Sequence, residues 1–329
     1  MTETPTLTGT IVVLDPISPA TAERMRALLP PGLTLTHGTQ RDEDHLKTII
    51  ADADYAISGQ IPVPAPVLRA ATRLRLLHKW GVGTDNFDLD AARALGITVA
   101  RTTGSNAIPV AEFTIGLMIA CMRHLAEAHA RLAQGEWVGI NAARPSLQLS
   151  GKTIGIVGYG AIGQALARLL QGFGCTILTH RRNPAPDTLT PPAFLTTHVP
   201  LETLLAQSDV VSLHCPLTPE TTGLIDRAAL ERMKPTAILV NVARGGVVVE
   251  ADLLQALQNR TILGAAMDVF ETEPLPANSP LIGIPGLLLT PHIAALAADT
   301  FEPTIRQMFA NIARIARGEP IPDRDLVLP

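Results

Sequence analysis

Short apolar runs typical of buried strands alternate with amphipathic, helix-like segments along nearly the whole chain. In the N-terminal part, the strand-like runs are residues 10–14, 55–58, 74–78 and 97–99. The helix-like segments beside them are residues 19–29, 66–71 and 89–95. This alternation is typical of βαβ units, which build parallel sheets covered by helices on both faces.

A long apolar segment at residues 109–133 has almost no glycine or proline inside it, and we predict that it forms one helix. A second alternating series follows. Its strand-like runs are residues 153–157, 176–179, 210–213, 237–241, 264–268 and 287–289. Its helices are predicted at residues 162–170, 250–258 and 299–317. The stretch 183–200, rich in proline and threonine, is predicted to be a surface excursion.

Two alternating series in a chain of 329 residues predict an α/β protein with two doubly wound, Rossmann-like parallel-sheet domains. The second series is complete before the last helix begins, so we expect that helix to return to the first domain. The second domain would then comprise residues 105–293. It would be inserted in a first domain formed by residues 1–104 and 294–329.

Composition agrees with this fold and excludes several kinds of partner. Hydrophobic residues make up 47% of the chain and aromatic residues only 3%, so aliphatic side chains must build the core. A net charge of −4 gives no electrostatic footprint for nucleic acid or an anionic membrane. Cys121, Cys175 and Cys215 are widely spaced, which fits buried thiols in a reducing compartment. We expect a cytoplasmic protein without a metal site.

A glycine-rich segment follows the first strand of the second series. Gly158, Gly160 and Gly163 have the spacing G-x-G-x-x-G, with Tyr159 and Ala161 between them, a strand before and a helix after. In this context the first glycine permits a tight turn and the second lets the backbone approach a pyrophosphate. The third brings helix and strand close together. The segment predicts that the second domain binds a dinucleotide, which makes the first the substrate domain.

The end of the next strand indicates which dinucleotide is preferred. A site selective for NAD(H) needs a carboxylate there for the ribose hydroxyls, but residues 177–183 contain no Asp or Glu. Arg181 stands about where the acid is expected, followed by Arg182. Because a guanidinium favours a 2′-phosphate, we expect NADP(H), with NAD(H) as the alternative. Solvated surface arginines are the competing interpretation.

Arg244, Glu273 and His292 follow three successive strands of the second series. Parallel strands end at one edge of a sheet, where open α/β sheets bind ligands. Reduction of a 2-oxo acid needs a cation for its carboxylate and carbonyl oxygens, which Arg244 can supply, and a proton donor, which His292 can supply. A carboxylate such as Glu273 would favour the protonated imidazole. Each residue alone could be structural, but together they predict hydride exchange with a small 2-oxo or 2-hydroxy acid.

These residues lie in longer motifs that resemble those of the D-isomer-specific 2-hydroxyacid dehydrogenase family. That family includes glyoxylate/hydroxypyruvate reductases and phosphoglycerate, phosphite and formate dehydrogenases. The motifs cover nearly the whole chain and lie at residues 79–86, 105–106, 110–112, 158–163, 214–221, 241–246, 268–274 and 290–293. The resemblance implies the nested domain order predicted above and a homodimer formed through the segment 109–133.

Carried over to this chain, the resemblance implies a role for each matching residue. Arg244, Glu273 and His292 would be the catalytic set, with His292 the acid in reduction and the base in oxidation. Val82 and Gly83 would offer backbone amides to the substrate carboxylate, and Arg244 and His292 would also contact the substrate. Further cofactor contacts would come from Ile162, Cys215, Thr221, Val242, Ala243 and Asp268.

Two departures from the family pattern bear on specificity. Arg181 replaces the usual ribose-binding Asp, as in NADP-preferring reductases of the family, and Ala294 and Ala295 replace a common Gly-Gly pair. The main hypothesis is therefore an NADP(H)-preferring reductase of glyoxylate, hydroxypyruvate or a similar 2-oxo acid. Among enzymes, the alternatives are a phosphite dehydrogenase and a reductase of a bulkier 2-oxo acid. Outside enzymes, the alternative is a nucleotide-sensing protein similar to the family's corepressors.

Overall fold

A computed structural model describes residues 7–137, 145–182 and 196–329 of the chain. Contacts within the chain divide it into two units. The first unit runs to Asn106 and resumes at Ala297, and the second comprises Ala107–Leu296. These borders lie close to the expected ones at residues 104/105 and 293/294.

The strands of the described residues are, in chain order, β1 (Gly9–Val13), β2 (Leu33–His37), β3 (Tyr55–Ser58), β4 (Leu76–Lys79), β5 (Thr98–Arg101), β6 (Thr153–Val157), β7 (Thr176–His180), β8 (Thr196–His198), β9 (Val210–Leu213), β10 (Ile238–Asn241), β11 (Gly264–Met267), β12 (Leu287–Leu289) and β13 (Leu326–Leu328). The α-helices are α1 (Pro19–Arg26), α2 (Glu43–Ile50), α3 (Ala65–Ala70), α4 (Leu89–Ala94), α5 (Ala107–Met122), α6 (Leu125–Ala133), α7 (Ala161–Leu170), α8 (Leu201–Gln207), α9 (Arg227–Arg232), α10 (Glu250–Gln258) and α11 (Ala298–Arg317).

The first unit is built on a six-stranded sheet with the order β13-β5-β4-β3-β1-β2. Strands β1 to β5 are parallel, and β13 pairs antiparallel with β5 at one edge. Every residue of β3 and β4 is buried, as expected when helices cover both faces of a parallel sheet. Helix α11 covers one face through Ile305, Met308, Phe309 and Ile312, whose spacing places them on one side of the helix.

The second unit has a parallel seven-stranded sheet with the order β12-β11-β10-β9-β6-β7-β8. Helices α5 and α7 pack on one face, and α8, α9 and α10 pack on the other. The strand order reverses between β6 and β9, and open α/β sheets bind ligands at such a reversal, beyond the carboxyl ends of the strands. The two sheets confirm the predicted α/β fold class with two parallel-sheet domains.

The single helix predicted at residues 109–133 is wrong. The structure has two helices there, α5 and α6, which are bent by 63° relative to each other. His124 between them has a left-handed backbone with φ 54°. The apolar pattern of the sequence continues across this bend, although the two helices differ in burial: α5 is largely buried and α6 has no buried residue. Among the described residues no single helix is long and apolar enough to cross a membrane, and α5 and α6 would reach that length only as this bent pair.

The surface excursion predicted at residues 183–200 falls mostly outside the described residues. Where the description resumes, the prediction is wrong, because Thr196–His198 form β8 at the edge of the second sheet. Two consecutive threonines, which are β-branched and favour extended backbone, account for the strand. The apolar pattern also left β2, α2 and β13 unpredicted.

Candidate active site and cofactor-binding turn

Arg244, Glu273 and His292 follow the neighbouring strands β10, β11 and β12 of the second unit. These strands are parallel, so their carboxyl ends lie at the same edge of the sheet. His292 Nδ1 and Glu273 Oε2 are 2.6 Å apart, and each side chain is about one-third exposed. The carboxylate therefore fixes the imidazole ring and leaves Nε2 as the nitrogen that can exchange a proton.

Glu273 is held as a carboxylate by its surroundings. Burial alone would raise its pKa, but hydrogen bonds from His292 and from the Phe270 amide, together with the charges of His292 and Arg244, hold the pKa below its ordinary value. The Phe270 amide donates to Glu273 Oε1 at 3.0 Å. The structure thus brings the three predicted residues into one electrostatic cluster.

The loop that carries His292 is fixed by the buried carboxylate of Asp268, which directly follows β11. One oxygen accepts hydrogen bonds from Thr290 Oγ1 at 2.6 Å and the Ile293 amide at 3.0 Å, and the other accepts from the Ala294 amide at 2.8 Å. The His292 amide donates to Asp268 O at 2.7 Å. These bonds hold His292 in a left-handed conformation with φ 54°, which is uncommon for a residue other than glycine.

The turn after β10 is folded around the fully buried side chain of Asn241. Its Nδ2 donates to Arg244 O at 2.9 Å, and its Oδ1 accepts from the Ala243 amide at 3.0 Å. A Cβ atom on Gly245 would lie 1.8 Å from the Phe270 carbonyl carbon, so only glycine allows this turn to pack against the loop after β11. The backbone that presents Arg244 is therefore rigid and lies directly against the segment that carries Glu273.

The glycine turn after β6 has the features needed to hold a diphosphate. Gly158 has φ +94°, and a Cβ there would clash with the backbone of His214 and Cys215. An added Cβ on Gly163 would lie 2.5 Å from Gly158 O, whereas one on Gly160 would meet no described atom within 4 Å. Gly160 is the N-cap residue of α7, and at this position it has no side chain that could accept a hydrogen bond from the first amides of the helix. The open backbone at the start of α7 thus fits a pyrophosphate.

Arg181 and Arg182 directly follow β7, beside the glycine turn. Arg182 Nη1 lies 3.4 Å from Glu220 Oε2 in the loop after β9. Thr221 in the same loop accepts from the Thr218 amide at 2.7 Å and donates to Pro216 O at 2.6 Å, so its hydroxyl shapes the loop. The segments that follow the neighbouring strands β6, β7 and β9 therefore lie next to one another at the carboxyl edge of the sheet.

Comparison with known proteins supports the assignment that this geometry suggests. Residues 115–294, more than half of the chain, match the family model described as the D-isomer specific 2-hydroxyacid dehydrogenase, NAD binding domain. The chain belongs to the D-isomer-specific 2-hydroxyacid dehydrogenase family. As a member, it is a nicotinamide-dependent oxidoreductase.

The similar proteins of this family differ in substrate. A glyoxylate reductase from Korarchaeum cryptofilum is 38% identical over 88% of this chain and 85% of that protein. A D-3-phosphoglycerate dehydrogenase from Mycobacterium bovis is 33% identical over 95% of this chain, which spans only 58% of that protein. Among solved structures, the NADPH-dependent glyoxylate/hydroxypyruvate reductase from Sinorhizobium meliloti has a TM-score of 0.81 at 31% identity, with 97% of each chain covered.

Each of the other residues to which the sequence of this 2-hydroxyacid dehydrogenase assigned a role belongs to one unit or the other. Ile162 lies in the first turn of α7, Cys215 is buried beside Gly158, and Val242 and Ala243 belong to the turn that Asn241 shapes. Val82 and Gly83 lie in the first unit, in the loop after β4. Their roles in binding cofactor or substrate stay predictions. Within the described residues, no group of His, Cys, Asp or Glu side chains is arranged to hold a metal ion.

The sequence analysis did not predict the residues that position the catalytic loops of this dehydrogenase. Asn241 and Gly245 shape the Arg244 turn, and Asp268, assigned only to the cofactor, holds the His292 loop. Glu250 and Glu271 also exchange hydrogen bonds, each carboxylate accepting from the other's amide at 3.1 and 2.7 Å. For Asn241 and Asp268 the available signal was an Asn or Asp at the carboxyl end of a strand, because such residues favour turns.

Proposed function

We propose that this chain reduces a small 2-oxo acid of the glyoxylate or hydroxypyruvate type to the D-2-hydroxy acid, reversibly, with NADP(H) as the preferred cofactor. The observation that carries the proposal is the His292–Glu273 pair beside Arg244, at the edge of a sheet whose glycine turn fits a diphosphate. The names of the Korarchaeum cryptofilum and Sinorhizobium meliloti relatives support this substrate class.

Arg244, His292 and Glu273 of the second unit each have a separate role in the proposed reaction. When bound, the reduced nicotinamide supplies the hydride. Arg244 binds the substrate's carboxylate and carbonyl oxygens with its planar guanidinium, which polarises the carbonyl. His292 donates the proton on Nε2 to the oxygen at position 2 as negative charge develops there. Glu273 stabilises the protonated ring before this transfer, and in the oxidation direction the neutral ring accepts the proton back.

Initial rates of NADPH and NADH oxidation with glyoxylate, hydroxypyruvate, pyruvate and a branched 2-oxo acid test this proposal. It expects turnover of one or both of the first two acids, faster with NADPH. Preference for the branched acid would support a reductase of bulkier acids. Reduction of NAD⁺ or NADP⁺ by phosphite, with all the acids inert, would support a phosphite dehydrogenase. Cofactor binding without any turnover would contradict an enzymatic role.

Replacing Arg181 with Ala should weaken NADPH binding about 10- to 100-fold and NADH binding much less. The reason is that a charge-assisted hydrogen bond contributes about 1.5–3 kcal/mol, and only NADPH has the 2′-phosphate to accept it. Dissociation constants from fluorescence titration measure the effect. Arg168→Ala, the same change at an exposed position near the end of α7, is the control. Equal losses for both cofactors would show that Arg181 does not bind the 2′-phosphate.

The assembly we propose is a homodimer that uses α5 and α6. Helix α6 has no buried residue, yet Leu125, Leu132 and the nearby Trp137 are 51%, 55% and 89% exposed. Exposed apolar groups on one segment are typical of a protein interface. Light scattering should give twice the mass of one chain, and Leu125→Lys with Leu132→Lys should halve it. A wild-type mass of one chain would contradict the dimer.

A further inference from the structure

The ion pair between Arg182 and Glu220 links the loops that follow β7 and β9. The two side chains are 72% and 60% exposed, and Arg182 Nη1 and Glu220 Oε2 are 3.4 Å apart. Strands β7 and β9 lie on either side of β6, the strand that leads into the glycine turn. The pair therefore lies beside the glycine turn, on the side where the ribose of a dinucleotide would lie if Arg181 binds it.

The loop that carries Glu220 is ordered by hydrogen bonds of its threonines. Thr221 Oγ1 donates to Pro216 O at 2.6 Å and accepts from the Thr218 amide at 2.7 Å, and Thr222 Oγ1 donates to Thr218 O at 2.8 Å. A hydrogen bond from Thr218 lowers the pKa of Glu220, as do a backbone hydrogen bond and the nearby charge of Arg182. The lowered pKa keeps the Glu220 carboxylate ionised at neutral pH.

An ionised carboxylate at this position acts on the two cofactors differently. A 2′-phosphate carries a charge of about −1.5 to −2 at neutral pH, whereas NAD(H) has a neutral hydroxyl in its place. Glu220 repels a phosphate placed near Arg181 and Arg182. It also forms the ion pair with Arg182, the cation that follows Arg181 in the chain. Both effects are weaker for NAD(H), which has a hydroxyl in place of the 2′-phosphate and shares only the diphosphate charges.

We propose that Glu220 is a specificity-determining residue that limits the preference of this enzyme for NADP(H) over NAD(H), by competing for Arg182 and by repelling the 2′-phosphate. The inference rests on the proposed function in one respect, namely that the ribose end of the cofactor lies at Arg181. It predicts that Arg181 and Arg182 together give a smaller preference for NADP(H) than their charges alone would give.

Replacing Glu220 with Gln removes the charge and keeps the size of the side chain. At low salt we expect NADPH to bind about two- to fivefold more tightly, with a smaller change for NADH, because charges several ångströms apart in water interact only weakly. At about 1 M salt the difference from wild type should disappear, since the Debye length falls to about 3 Å. A merely structural role for Glu220 would not respond to salt in this way.

Two further variants complete the test by fluorescence titration of NADPH and NADH. In an Arg182→Gln background, Glu220→Gln should have a smaller effect, because the competition for Arg182 is gone and only the repulsion remains. Glu231→Gln, the same charge change on the exposed side of α9, is the control and should leave the NADPH-to-NADH ratio unchanged.

The outcomes separate this inference from the proposed function. A ratio that stays the same in Glu220→Gln at low salt would overturn the role of Glu220, whatever Arg181→Ala does. If the wild-type enzyme prefers NADH but Glu220→Gln shifts the ratio toward NADPH, the role of Glu220 stands and the proposed NADP(H) preference falls. If neither Arg181→Ala nor Glu220→Gln changes the ratio, the proposed roles of Arg181 and of Glu220 in cofactor selection are both wrong.

Discussion

Replacing His292 with Asn is expected to lower kcat about a thousandfold while cofactor binding changes little. General acid catalysis contributes about 10²–10⁴ in rate, and His292 is the residue whose Nε2 can donate the proton once Glu273 occupies Nδ1. Asn is the appropriate replacement because it tolerates the left-handed backbone at this position, where Ala would be strained. The measurements are kcat with a 2-oxo acid and the dissociation constant of NADPH by titration.

A matched change, His45→Asn in α2 of the first unit, controls for the substitution itself and should leave kcat unchanged. Combining His292→Asn with Glu273→Gln should be no worse than His292→Asn alone, because Glu273 acts through the imidazole and the two work as a unit. Retained activity in His292→Asn would exclude it as the acid. A further large loss in the double variant would show that Glu273 contacts the substrate independently.

Replacing Arg244 with Lys should lower kcat/KM for the 2-oxo acid about a hundredfold, although the positive charge is retained. A point charge cannot make the paired hydrogen bonds of a guanidinium, and one lost charge-assisted bond corresponds to about 1.5–3 kcal/mol. Arg227→Lys on α9, whose guanidinium pairs with Asp252 at 3.7 Å, is the matched control and should behave as wild type. NADPH binding should be unchanged in both variants.

Activity of Arg244→Lys within about threefold of wild type would mean that charge alone suffices at this position. A loss confined to NADPH binding would place Arg244 at the cofactor instead of the substrate. The Asn241 side chain holds this turn through the Arg244 carbonyl and the Ala243 amide, and Arg244→Lys keeps both main-chain groups, so the variant should retain the backbone of the turn.

The sequence predicted the two parallel sheets and the cluster at the strand ends because both depend on local patterns. Apolar runs specify buried strands, and residues after successive parallel strands must share an edge. The bend at His124 has no such pattern, since a left-handed backbone in a residue other than glycine leaves no local signal. The result is a predicted helix where the chain changes direction.

The contacts that position the site residues also could not be predicted, but for a different reason. Asp268 holds the His292 loop through bonds to residues more than twenty positions away, and two of its donors are backbone amides that any residue would provide. The pair Arg182–Glu220 likewise joins loops that only the folded sheet brings together. Charge and side-chain type were readable in the sequence at these positions, but their partners were not.

Transfer of deuterium from cofactor to substrate measures the proposed hydride transfer itself. The enzyme is incubated with hydroxypyruvate and NADPH that carries deuterium at the transferable position of the nicotinamide, and the product is analysed by mass spectrometry and chiral chromatography. We expect D-glycerate with one deuterium at position 2 for each NADPH consumed. Absence of NADPH consumption, or glycerate without the label, would contradict the proposed transfer.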